Sequence, residues 1–271
     1  MTKRACALSV TNKAMALASR VHDETCYILH SYDWSESSLI LEAWSRQHGR
    51  VALVAKGAKK PNSQWRPVLL PLQALRLDWW GDAEIRTLKS ARWAGGPVMP
   101  YGDGLLAGLY LNELVMRTMA RDDPHPALFD AYALAVSSLR DEVLRSAALR
   151  ALELHLLKAL GVLPSLAVHG TTHKALDDTR AFKLYAEAGL QPSSTHGLDG
   201  HTWKRLDGLL QSVDEWSALV ETCHHHEPVL RPQLREVLYH HSGLTAFRTR
   251  QLWRDVAQVG QRAKAMPETD N

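Results

Sequence analysis

Apolar and polar positions follow two different rhythms along the chain, and the change falls near residue 95. From about residue 25 to 94 the pattern is one of short apolar or alternating runs: 25–32, 38–44, 50–55, 70–80 and 85–93. Turn-forming residues separate them: Asp33-Trp34-Ser35, His48-Gly49, Lys60-Pro61-Asn62 and Gly81-Asp82. Leu75-Arg76-Leu77-Asp78-Trp79 alternates as a strand with one buried face should. Five strands in about 70 residues predict a small barrel, and the oligonucleotide-binding (OB) barrel is the five-stranded choice. An SH3-like barrel or an open meander fits the same pattern.

Beyond a hinge at Gly95-Gly96-Pro97 and Pro100-Tyr101-Gly102 the period becomes helical, with Asp103 placed to cap the first helix. In 104–121, Leu106, Tyr110 and Leu114 recur at i, i+4, with Leu105 and Leu109 beside them, as in a helix buried between neighbours. Further helices are predicted over 126–140, 144–160, 203–211, 213–226, 230–241 and 248–260. The fold class is thus α+β multidomain: an N-terminal five-stranded OB-type β-barrel followed by an α-helical domain. The predicted divisions are a basic, flexible leader (1–20), the barrel (21–98), the helical domain (103–260) and a flexible polar tail (261–271).

Charge changes this picture at one place. Arg46, Arg50, Lys56, Lys59, Lys60 and Arg66 fall within 46–66 without one Asp or Glu, in a chain whose net charge is only +3. They lie on a strand (RVALVA) and on a mobile connection, KGAKKPNSQWR, that also carries Trp65. Cations with an aromatic ring suit a phosphate backbone with bases to stack on. A solvated loop that keeps an edge strand soluble would look similar. Trp34 and Trp80, next to turns, rank behind Trp65 as stacking residues. A second basic group, Arg248, Arg250 and Arg254, preceded by Arg231 and Arg235, lies on the last predicted helix.

Other chemistry finds little support. LVAKGAKKP lacks the spacing of a phosphate-cradling P-loop, no GxSxG appears, and Cys26 has no assignable base. Asp122-Asp123 and Asp177-Asp178 read as caps or turns. His224-His225-His226 beside Cys223, and His169 with His173, superficially offer zinc ligands, but a helix would splay the first set around its circumference. No metal and no cofactor are predicted. Three cysteines imply no disulfide framework, and no run is long and apolar enough to span a membrane. The expected location is the cytoplasm.

The ordered segments resemble a known family, the bacterial DNA repair and recombination protein RecO. The likeness is carried by ILHSYDWSESSLILEAWSRQHGRVALVAKGAKKP (28–61), AGLYLNELVMRTM (107–119), ALRALELHLLKALGVLP (148–164) and LYHHSGLTAFRTRQLWRDV (238–256). The resemblance implies an OB barrel with a helical domain and no catalytic residue. It also implies binding to single- and double-stranded DNA at the nucleoid and annealing of complementary strands. The implied protein partners are RecR and the acidic C-terminal tail of single-stranded DNA-binding protein, so that RecA can load. Carried over by position, the DNA contacts are Arg50, Lys56, Lys59, Lys60 and Arg66 on the barrel, with Arg248, Arg250 and Arg254 on the helical side; Trp65 joins them on the residue reading above, as the stacking ring. For the tail peptide, an apolar groove rimmed by cations is expected among Arg117, Arg121, Phe129, Tyr132 and Arg140. The competing class is a helical protein-interaction adaptor that touches DNA incidentally. One departure is plain: some members carry a four-cysteine zinc element after the third helix, whereas 161–200 contains no cysteine.

Overall fold

The computed structural model describes residues 19–243, 247–249, 251–253 and 255. Strands β1 (Arg20–Trp34), β2 (Ser38–Ser45), β3 (Gly49–Ala55), β4 (Leu75–Trp80) and β5 (Ile85–Trp93) close into a barrel in the order β1-β2-β3-β5-β4. The β3–β5 pair is parallel and the other four are antiparallel, the closure of an OB-type barrel. Alternation explains the interior. Leu41, Ala43, Val51, Leu53, Leu75, Leu77 and Trp79 point inward and are buried, while Arg76 and Asp78 point out. β1 begins five residues before its predicted start, and β4 is five residues shorter at its N-terminal end.

A register irregularity between Ile28 and His30 lets β1 serve two cores. Cys26 and Ile28 fill the barrel, whereas Tyr27 and Leu29 pack outward. There they join Trp44 and Leu72 against helices α1 (Gly102–Thr118) and α2 (Pro126–Ser138). The Gly95–Gly102 segment is therefore not a hinge between separate bodies, because one hydrophobic core crosses the boundary. Asn112 of α1 donates to the Leu29 carbonyl at 3.0 Å and accepts from the Tyr132 hydroxyl at 2.5 Å. Arg46 makes a two-pronged contact to Asp130, both prongs 2.8 Å. Asp103 lies in the first turn of α1, but no side chain caps the helix at Tyr101. An acid there still suits the positive end of the helix dipole.

The remaining elements are α3 (Arg145–Ala159), α4 (Gly200–Leu209), a single 3₁₀ turn (Val213–Glu215) and α5 (Trp216–Ser242). α5 is one 27-residue helix where two were predicted, and it contains Pro228 and Pro232. Each proline removes a backbone donor, yet Leu230, Leu234, Val237 and Leu238 stay buried along the same helix. Between α3 and α4 lies an unpredicted sheet, β6 (Ala181–Tyr185), β7 (Gly189–Pro192) and β8 (Leu198–Asp199), in the order β7-β6-β8. The predicted leader as far as residue 18, the predicted tail and the expected contacts Arg250 and Arg254 lie outside the described residues.

Candidate nucleic-acid interface

The connection from β3 to β4 is not a loose tether. Ala58 is buried in the barrel core, and successive backbone hydrogen bonds (Lys60 to Gly57, Ser63 to Lys60, Leu69 to Trp65) fold it into turns. Gly57, at φ +73°, supplies the left-handed position the first turn requires. The Lys59 amide donates to Ser37, and its ammonium reaches the Ser35 carbonyl at 3.1 Å and Asp33 at 3.5 Å. Lys59 is thus tied to the β1–β2 turn. Lys56, Lys60 and Arg66 are exposed.

Trp65 is half-buried, packs against the barrel core, and donates its indole N–H to the Lys56 carbonyl at 3.1 Å. Its ring direction is therefore fixed. The indole walls two clefts. One, of about 410 Å³, is completed by Lys60, Asn62, Gln64 and the Lys89–Ala91 stretch of β5. The other, of about 280 Å³, includes Lys59, Arg66, Leu39 and Leu69.

The outer face of β4 and β5 adds residues that the sequence pattern did not reveal. Trp80 is 37 % exposed, and both the Arg20 guanidinium and the Lys89 ammonium stand 4.1 Å from its ring centroid. Trp80 itself was legible beside its turn. Lys89 was not, since in TLKSARW nothing separates it from any other outward strand residue.

Arg50 occupies a different role from the one expected. Its side chain bonds buried Glu42 at 3.1 Å and the Met119 carbonyl at 3.2 Å, so it faces the helices rather than solvent. Arg121 also bonds Glu42, and holds Glu84 at 2.6 Å. The Glu42 hydrogen bond is the main cause that keeps the Arg121 guanidinium above its ordinary value. Phe129 and Tyr132 are 2 % and 0 % exposed; they build the core between α2 and the barrel and offer no groove. Arg117 pairs with Glu113 at 2.8 Å, and Arg140 is exposed at the end of α2.

Arg248 is exposed, but its backbone amide and that of Thr249 both donate to Glu113 at 2.9 Å. Burial would raise the Glu113 carboxyl. The amides of Thr249 and Arg248, the Thr249 hydroxyl and Arg117 outweigh it and hold the carboxyl below its usual value. Residues 248 and 249 are thus anchored to α1, and the 56–66 loop to the β1–β2 turn.

Among the described residues, no cluster of three His, Cys, Asp or Glu side chains is placed to hold a metal ion. His169 instead accepts backbone amides from Thr171 and Thr172 at 3.1 and 3.3 Å, a local turn. Cys223 is buried and its thiol is pushed well up by burial.

Comparison with known proteins places this geometry. The N-terminal model of recombination protein O matches residues 15–97, and its C-terminal model matches residues 101–206. The chain belongs to the recombination protein O family. It is 50% identical over 242 residues to the DNA repair protein RecO of Polaromonas sp. strain JS666, covering 88% of this chain and 97% of that protein. The RecO of Variovorax paradoxus is 50% identical over 254 residues, with 89% and 99% covered. That of Delftia acidovorans is 49% identical over 258 residues, with 90% and 100% covered. Both matched segments agree with the architecture of an OB-type barrel followed by helices.

Proposed function

We propose that this chain is a DNA repair and homologous recombination mediator that binds single- and double-stranded DNA and anneals complementary strands in the cytoplasm, at the nucleoid. The observation that carries the reading is the acid-free cationic loop, pinned to the barrel and presenting Lys56, Lys60 and Arg66 around an indole of fixed direction. Two polyanions held on one basic surface repel each other less, and bases kept unpaired can then find their complements. No step in this mechanism calls for a catalytic residue, a nucleotide or a metal.

Family membership supports the rest of the assignment: cooperation with RecR, and engagement of the C-terminal tail of single-stranded DNA-binding protein so that RecA loads. The helical body is the proposed seat of the tail, with exposed Arg140 and partly exposed Arg117 as cations for its carboxylates. Annealing of two complementary oligonucleotides by the full chain tests the reading. It should persist in chelator and without nucleotide. Complete dependence on ATP would overturn it.

A further inference from the structure

Lys89 links two aromatic rings on the outer surface of the barrel. β4 and β5 pair regularly as far as Asp78–Ser90, and the register then shifts so that Trp79 meets Leu88. Lys89 is the extra residue in that step, the device by which a strand re-aims a side chain. Its ammonium stands over Trp80, and Lys89 is also one of the residues that line the 410 Å³ cleft together with Trp65 and Lys60. The surface therefore runs through Arg20, Trp80, Lys89, the cleft, Trp65 and Lys60, with cations and rings in alternation.

We propose that this cleft, with Trp80 beside it, receives one nucleotide of a single strand and makes the barrel prefer unpaired to paired DNA. The proposal rests on the DNA-binding reading above and assigns a strand type to one part of that surface. An indole wall takes only a base with a free face, and bases in a duplex have both faces covered by their neighbours. The Trp65 ring is already fixed by its bond to the Lys56 carbonyl, so stacking on it costs little further ordering. The cleft volume lies within the range of about 300–1,000 Å³ common for small-ligand sites.

Asp78 is an acid bonded to the cleft wall. It accepts from the Ser90 hydroxyl at 2.6 Å and the Asp23 amide at 2.7 Å, and these bonds, that of Asp23 first, hold its carboxyl below the usual range. A charged Asp78 opposes phosphate, so Lys60 and Lys89, not Ser90, take the phosphate contact. Lys89 gives up an exposed cation–π contact for a charge-assisted one, which is the stronger of the two.

Binding of the full chain to an oligothymidine strand and to a duplex of equal length tests the proposal. Lys89→Ala and Trp80→Ala should each weaken single-strand binding at least about fivefold and leave duplex binding within about twofold. Lys56→Glu with Arg66→Glu lies outside the cleft and should weaken both. An equal loss for both DNA forms in Lys89→Ala would overturn the strand assignment. If both cleft variants behave as wild type while the charge reversals still weaken binding, the cleft proposal fails and the DNA reading stands. If the reversals also change nothing, that reading fails. A 5-iodouracil strand gives an independent readout: photocrosslinks should map to Trp65 or Trp80, and crosslinks only elsewhere would count against the cleft.

Discussion

Glu42 shows how a single side chain can redirect two others. It sits on the outward face of β2, is 1 % exposed, and accepts from Arg50 of β3 and, across the boundary between barrel and helices, from Arg121. Removing it would leave two partly buried guanidinium groups without their counter-charge, which is costlier than losing a fully exposed pair. In the sequence Glu42 is one acid in LILEAWS, and its two partners lie 8 and 79 residues away. Both arginines therefore looked available for ligands. His155 makes the residue scale measurable by pH. It is buried against Trp216, its Nε2 has no hydrogen-bond partner among the described residues, and burial lowers its imidazole to about 4 from the ordinary 6.5. The unfolded chain takes up a proton that the folded one refuses. Its contribution to stability is thus fully present above pH 6.5 and is lost as pH falls from there toward 4. At pH 5 the loss should be roughly 2 kcal/mol. Urea denaturation at pH 7.5 and pH 5 should show that loss in the wild type and much less of it in His155→Phe. Equal losses in the two proteins would contradict the assignment.

Elements were legible in proportion to the strength of their period. The barrel strands alternate, and α1 to α3 carry apolar residues at three- and four-residue spacing, so their positions followed to within a few residues. The β6–β8 sheet was hidden because its strands run only five, four and two residues, too short for a period to show. The predicted break in α5, at 227–229, holds Pro228, where a helix is normally interrupted; the buried leucines of α5 hold it together. The basic loop was read as a connection, but its turns and buried Ala58 could not be read from composition. The closeness of the two domains was equally hidden. Gly108 of α1 shows it best: a Cβ there would stand 2.2 Å from Leu72 Cδ1, and Leu72 is itself 1 % exposed. Gly108→Val should therefore force α1 off the segment leading into β4 and cost about 1–3 kcal/mol. A denaturation midpoint equal to wild type would mean that Leu72 moves aside freely.

Across the whole molecule, a net charge of +3 hides a strong separation of charge. Many cations outside the basic loop are spent internally, as Arg46 on Asp130, Arg86 on Asp122, Arg92 on Asp23 and Arg121 on Glu42 show. Lys56, Lys60 and Arg66 stand exposed in a stretch without acids. That contrast, more than net charge, is what points to a polyanion. The salt dependence of affinity for a short single strand tests it most directly, because each phosphate neutralised by a protein cation releases counterions and steepens the log–log slope. The wild type should give a steep negative slope. Lys56→Glu combined with Lys60→Glu should weaken binding to every sequence and shallow that slope by about two. A slope and an affinity unchanged by both reversals would reduce the loop to a solvated surface and contradict the account.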